Sequence, residues 1–290
     1  MSYAHVPPPR VVVYLHSPAG LHLLPSCLPH LTAINVAAFH LGFDQHGDPY
    51  LHLNDRDPQD ASYAASLWPV LHQARQAGVK VIATLGGAGG AYQALFDYYE
   101  MFYPAWCELL RTYAFDGIDL MVEERVSAEN LAMFIHDLRR DFPQNFSITA
   151  APVASALSNG YDPFSGIAWK PLAASLDWFN VQFYNGWGSL ATASNYRAVI
   201  AAGYHPSQIV AGAMALPLDG TPSSYVPIHQ IAQTLSTLAA LYPGQFGGTA
   251  GWEWFNARNS SETIDPPGWC ATMKAAVQGA TPAPVAALSR

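Results

Sequence analysis

The chain has 290 residues, half of them hydrophobic and 12% charged, with a formal net charge of -8. That length and apolar content suit one large domain with a sizeable core. The acidic balance argues against a nucleic-acid partner, and no stretch approaches the roughly 20 apolar residues of a membrane span.

The N-terminal segment, rich in proline and lacking both a basic and an apolar region, does not read as a secretory leader. A cytoplasmic location is the simplest expectation, and a mature secreted form would look the same. Cys27, Cys107 and Cys270 are odd in number and widely spaced. They read as free thiols and not as a disulfide framework or zinc site.

Short apolar runs alternate with amphipathic segments from one end of the chain to the other. Strands are expected at 11–16, 34–42, 79–85, 117–123, 146–153, 178–184, 209–216 and 247–254. Helices are expected at 61–77, closed by Gly78, and at 92–113, broken near Pro104. Further helices are expected at 127–142, opened by Ser127 as N-cap, and at 195–202, 225–242 and 269–278. The strand runs are almost continuously apolar, as parallel strands covered on both faces are. Eight strand–helix units in this length point to an α/β fold, a single (β/α)8 TIM barrel. The barrel is expected over 1–280, with 281–290 a loose tail.

In such barrels the chemistry sits at the C-terminal ends of the strands. The strand-end candidates are His16, His40, Thr84, Glu123, Tyr184 with Asn185, and Trp252 with Glu253 and Trp254. They combine an acid, hydrogen-bonding groups and aromatic faces, which suits a sugar: apolar ring faces stack on aromatics and hydroxyls seek polar groups. Within 116–123 (DGIDLMVE), alternation places Asp119, Met121 and Glu123 on one face and Ile118, Leu120 and Val122 on the other. The histidines 16, 40, 46 and 52 match no standard metal spacing, so no metal or other cofactor is expected. The run 86–90 (GGAGG) lacks the Lys-Ser/Thr of a phosphate loop and reads as a tight barrel turn.

The segment 116–123 resembles the DGxDxDxE motif of glycoside hydrolase family 18, the chitinase family. Other elements agree in order. Residues 84–87 (TLGG) are similar to the family's SxGG element with Thr84 for Ser, 150–152 (AAP) to its strand-five segment, and 181–185 (VQFYN) to the plant and fungal hevamine-like branch. Residues 247–252 (GGTAGW) are similar to its GGxMxW element, and Val13-Tyr14 and 35–39 (NVAAF) fit strands one and two. The resemblance implies retaining, substrate-assisted hydrolysis, an exception to the two-carboxylate scheme. Glu123 would be the acid/base and Tyr184 would hydrogen-bond the acetamido oxygen of the substrate. Trp252 would floor the subsite of the reacting sugar, and Asp116 and Asp119 would be supporting acids deeper in the barrel. Tyr14, Phe39, Gln182 and Asn185 would shape the pocket for a small-molecule or oligosaccharide ligand.

Met121 stands where the family has an Asp that orients the acetamido N–H and balances the positive charge of the intermediate. A thioether is an uncharged, weak acceptor and does neither. Losing one such preorganised partner costs about 10²–10³ in rate. Glu124 is expected to be solvated or ion-paired, or else to swing in for the missing acid. Three functions stay open: a family 18-type glycosidase on N-acetylglucosamine-containing glycans, a non-catalytic chitinase-like lectin, and a barrel turned to acid/base chemistry on an apolar metabolite.

Overall fold

The computed structural model describes residues 9–17, 20–254 and 265–280; the expected tail, 281–290, lies outside them. Nine strands follow one another as β1 (Arg10–Leu15), β2 (Ala33–Phe43), β3 (Pro49–Leu53), β4 (Lys80–Gly86), β5 (Gly117–Met121), β6 (Ser147–Ala150), β7 (Trp178–Gln182), β8 (Ile209–Met214) and β9 (Gly248–Trp252). Eight pair in parallel in chain order, and β9 returns to β1, closing the expected barrel. The ninth, β3, folds back antiparallel on β2 and pairs His40 with His52. It was not expected, because its alternating tyrosine and histidine give no apolar run.

The connections carry α1 (Leu24–Cys27), α2 (Ala61–Gln76), α3 (Tyr92–Asp97), α4 (Tyr99–Thr112), α5 (Ala128–Asp141), α6 (Ala154–Asn159), α7 (Ser194–Ala201), α8 (Ile228–Leu241) and α9 (Pro266–Val277). Ser127 caps α5 by accepting from the Asn130 N–H at 3.0 Å. The break expected at Pro104 falls instead at Tyr98, whose φ of -132° and ψ of 47° leave the helical region. Pro104 forgoes a bond to Glu100 yet stays inside α4, held by the burial of Phe102, Tyr103 and Trp106 around it. No helix among the described residues is long and apolar enough to cross a membrane.

Strand alternation divides the core into two layers. Ile118, Leu120 and Val122 face the helices, while Met121 packs inside the ring with Tyr14, Ala37, Ala38 and Trp178. In β2 the alternation breaks. Ile34 and Val36 face outward, but the pairing with β4 shifts register between Val36 and Phe39, so Phe39 also faces outward.

At the N-terminal end of the barrel, carboxylates finish strands. Asp116 accepts from the Val81 N–H at 2.9 Å, and Asp177 accepts from the Ile148 N–H at 2.7 Å and from Arg139 at 2.8 Å. Arg10 lies 4.6 Å from the Trp178 ring centroid. Asp116 therefore belongs to the stabilising end of the fold, in keeping with the supporting role expected of it.

Candidate functional site

At the opposite end, the strand termini surround a cavity of about 310 Å³ lined by His16, His40, Met121, Glu123, Tyr184 and Trp252, with Gln182, Asn185 and the 86–89 turn completing the wall. Its size lies at the lower end of ordinary ligand pockets.

The turn after β4 explains how the strand ends approach so closely. Gly86 and Gly87 have φ of 98° and 86°, the left-handed region that favours glycine. A β-carbon on Gly86 would fall 2.4 Å from the Met121 carbonyl oxygen. Instead, the Gly87 N–H donates to that carbonyl at 2.8 Å, and Met121 Sδ lies 3.3 Å from where a Gly87 β-carbon would sit.

Asp119 lies below the cavity and is fully buried. Its Oδ1 accepts from Thr149 Oγ1 at 2.5 Å and from Asn180 Nδ2 at 3.0 Å, and its Oδ2 accepts from the Tyr14 hydroxyl at 2.8 Å. The network continues as Trp178 Nε1 donates to Asn180 Oδ1 at 3.0 Å. Burial pushes the Asp119 carboxyl up, and the bonds from Thr149, Tyr14 and Asn180 pull it back down. Burial also pushes up the Tyr14 hydroxyl, reinforced by Asp119.

Two residues along, Met121 occupies the next inward position. Two further, Glu123 is half-buried at the cavity wall, beyond the end of β5. Among the described residues its hydrogen-bond partner is Gln182, whose Nε2 lies 3.4 Å from Oε1 and also donates to the Ala151 carbonyl at 2.9 Å. Burial pushes the Glu123 carboxyl above its ordinary value; the Gln182 bond opposes this and Asp162 adds to it. Burial likewise raises the Tyr184 hydroxyl, with Glu123 contributing. Burial lowers the His40 imidazole.

Trp252 forms an aromatic wall, with Tyr14 edge-on at 5.5 Å and His16 tilted at 5.6 Å between ring centroids. The peptide that follows it, Trp252–Glu253, is cis, as is Ala37–Ala38. Glu253 accepts from the Ser17 N–H at 3.0 Å, and its other oxygen lies 3.6 Å from His16 Nδ1. Asp219 accepts from the N–H groups of Leu216 at 2.7 Å and Glu253 at 3.1 Å, joining the segment after β8 to the end of β9. Asn185, at φ 57°, accepts from the Thr221 N–H at 2.7 Å. The strand-end rule stops at Leu216 and misses Asp219, which acts through the backbone of its neighbours.

The structure thus brings Met121, Glu123, Gln182, Tyr184, Asn185 and Trp252 to one cavity. Tyr14 and Asp119 lie beneath it. Phe39 does not belong to it: the register shift turns its ring onto Trp106 and Phe115 at 5.5 and 5.6 Å, behind the barrel wall. Trp254 is also in the outer layer. Glu124 does not stand in for the missing acid. It accepts from the N–H groups of Ala91, Tyr92 and Gln93 at 2.5, 2.8 and 3.1 Å, at the start of α3.

A closed parallel barrel with an acid and an aromatic wall at its strand ends can hold a ligand that has apolar faces and polar groups. A sequence model of the glycosyl hydrolases family 18 matches residues 11–227, and the chain belongs to that family. Among solved structures it is similar to the chitinase ChiC from Aspergillus fumigatus, with 34% identity, TM-score 0.79, and coverage of 91% of this chain and 98% of that one. It is also similar to a fungal endo-beta-N-acetylglucosaminidase of family 18, with 32% identity, TM-score 0.80, and coverage of 93% and 98%. Chitinase 2 of Rhizopus oligosporus is 33% identical over 63% of this chain. The chain spans about half or less of the length of such curated relatives, 35% of that protein and 49% of Endochitinase 4 of Metarhizium robertsii.

Proposed function

We propose that the chain is a slow retaining glycosidase acting on N-acetylglucosamine-containing glycans, with Glu123 as the proton donor. The observation that carries this reading is the setting of Glu123. It is a half-buried carboxyl at the cavity wall, its pKa raised by burial, with one long bond from Gln182 to one oxygen. Among the described residues its other oxygen has no hydrogen-bond partner, which leaves it for a glycosidic oxygen. An acid held protonated closer to neutral pH is suited to general-acid catalysis.

The remaining groups have complementary tasks. Trp252 supports the apolar face of the reacting sugar. Tyr184, a phenol that is protonated at neutral pH and that burial pushes further up, donates to the acetamido carbonyl. That carbonyl oxygen attacks the anomeric carbon as the glycosidic bond breaks and Glu123 protonates the leaving oxygen. Glu123, now a carboxylate, takes a proton from the water that opens the oxazolinium ring. Asp119 is a positioning residue beneath the site, holding Tyr14 under Trp252. Met121 presents only a weak acceptor to the acetamido N–H and no charge to the cationic intermediate, so assistance is incomplete and turnover slow.

The test is hydrolysis of an N-acetylchitooligosaccharide by the purified chain and by Glu123→Gln. Slow release of product that disappears in the variant supports the reading. Met121 also favours a lectin, for which the same titration gives binding with no turnover in either protein. Neither binding nor turnover rules out both and leaves other acid/base chemistry.

A further inference from the structure

Beside the central cavity, on the same end of the barrel, lies a larger groove of about 620 Å³. Its walls come from the segments that follow β6, β7 and β8. Two half-buried aromatics, Trp187 and Tyr225, line it together with the amides of Asn159, Asn195 and Gln230 and several serine hydroxyls. No lining residue among those described carries a charge.

The wall is built into the fold. The Trp187 ring packs edge-on against Phe164 at 5.3 Å, and its carbonyl accepts from the Ser155 N–H at 3.0 Å. Asn195 Oδ1 accepts from the Ser189 N–H at 3.0 Å, and Gln230 Nε2 donates to the Ala191 carbonyl at 3.1 Å. Each of these two amides spends one end on the loop; among the described residues the Asn195 N–H donors and the Gln230 carbonyl have no hydrogen-bond partner and are left for a ligand's polar groups.

We infer that this groove is a second saccharide site, taking an uncharged pyranose oligomer. Aromatic faces match the C–H faces of sugar rings, and neutral amides and hydroxyls match sugar hydroxyls. The absence of charged lining side chains disfavours phosphorylated ligands and charged peptides, which need ionic partners when desolvated. The groove adjoins the central cavity through a single run of chain: Asn185 lines the cavity, and Gly186 and Trp187 line the groove. The site stands on its own lining and does not depend on the role of Glu123.

The test uses the full chain with Glu123→Gln, so that no probe is consumed, and follows the Trp187 indole N–H by ¹⁵N NMR. Titrations with N-acetylchitopentaose and with mannopentaose distinguish an N-acetylated from a plain hexose ligand. At least one is expected to shift the Trp187 signal saturably. Adding Trp252→Ala should move that midpoint by less than about twofold, since Trp252 lines the central cavity and not the groove. Adding Asn195→Asp keeps an oxygen for the Ser189 N–H but removes the side-chain donor, and should weaken binding about fivefold. Two results overturn the inference: no shift with either probe at millimolar concentration, or a shift that vanishes with Trp252→Ala, which reports the central cavity alone. Failure of hydrolysis at Glu123 leaves this readout unaffected.

Discussion

Asp119 and Glu123 are four residues apart on the same inward-facing row, yet their surroundings are opposite. Asp119 receives three hydrogen bonds, from Tyr14, Thr149 and Asn180, inside a layer closed to solvent. Among the described residues Glu123 receives one bond, 3.4 Å long, at the wall of an open cavity. Each carboxyl is pushed up by burial, but only Asp119 has a full set of donors pulling it back. The lower layer converts a buried acid into rigidity, whereas the upper layer leaves an acid with few partners, as the proposed proton donor would need to be. Met121 lies between them, where the row changes from structural to chemical.

Substitutions can break this contrast from either side. Glu123→Gln should cut turnover by about 10²–10⁴-fold in a steady-state assay while leaving ligand affinity nearly unchanged. Asp119→Ala should destabilise the fold by about 3 kcal/mol in denaturant unfolding, because it removes the acceptor shared by three buried donors and leaves Thr149 only its 3.3 Å contact with the Ile118 carbonyl. A loss near zero would show that the lower layer tolerates the gap. Trp252→Ala should weaken oligosaccharide binding at the central cavity by about 1 kcal/mol, roughly fivefold, measured by calorimetry.

The smallest effect is a difference in pH dependence. The raised pKa of Glu123 means that its contribution to folding is fully present below its ordinary value near 4.5. That contribution is lost as pH rises through the folded value, because the unfolded chain then ionises more readily. Glu123→Gln should therefore melt slightly higher than the wild type at pH 7, and the gap should close as pH falls below 4.5. A variant that melts lower at pH 7 would show that the carboxylate is a stabilising partner after all.

Much of this arrangement was legible in the chain. Period-two alternation placed Asp119, Met121 and Glu123 inward because β5 is regular, and the strand-end rule gathered Tyr184, Asn185 and Trp252 around them. Phe39 was misplaced for a reason no pattern shows: the register shift in β2 reverses the facing of every residue after it. Asp116 opens the motif in sequence but lies at the other end of the barrel from Glu123 in space. Thr149 and Asn180 look like ordinary strand polar residues until the ring closes around Asp119. The lateral groove was invisible because serine, asparagine and glycine in loops carry no periodic signal.

On the proposed mechanism, Met121 leaves a retained acid without the partner that substrate assistance needs. Hydrolysis of an N-acetylchitooligosaccharide by Met121→Asp tests it most directly. Restoring a carboxylate beside Gly87 should raise kcat by about 10²-fold, with little change in KM. An unchanged or lower kcat in a folded variant would contradict the account.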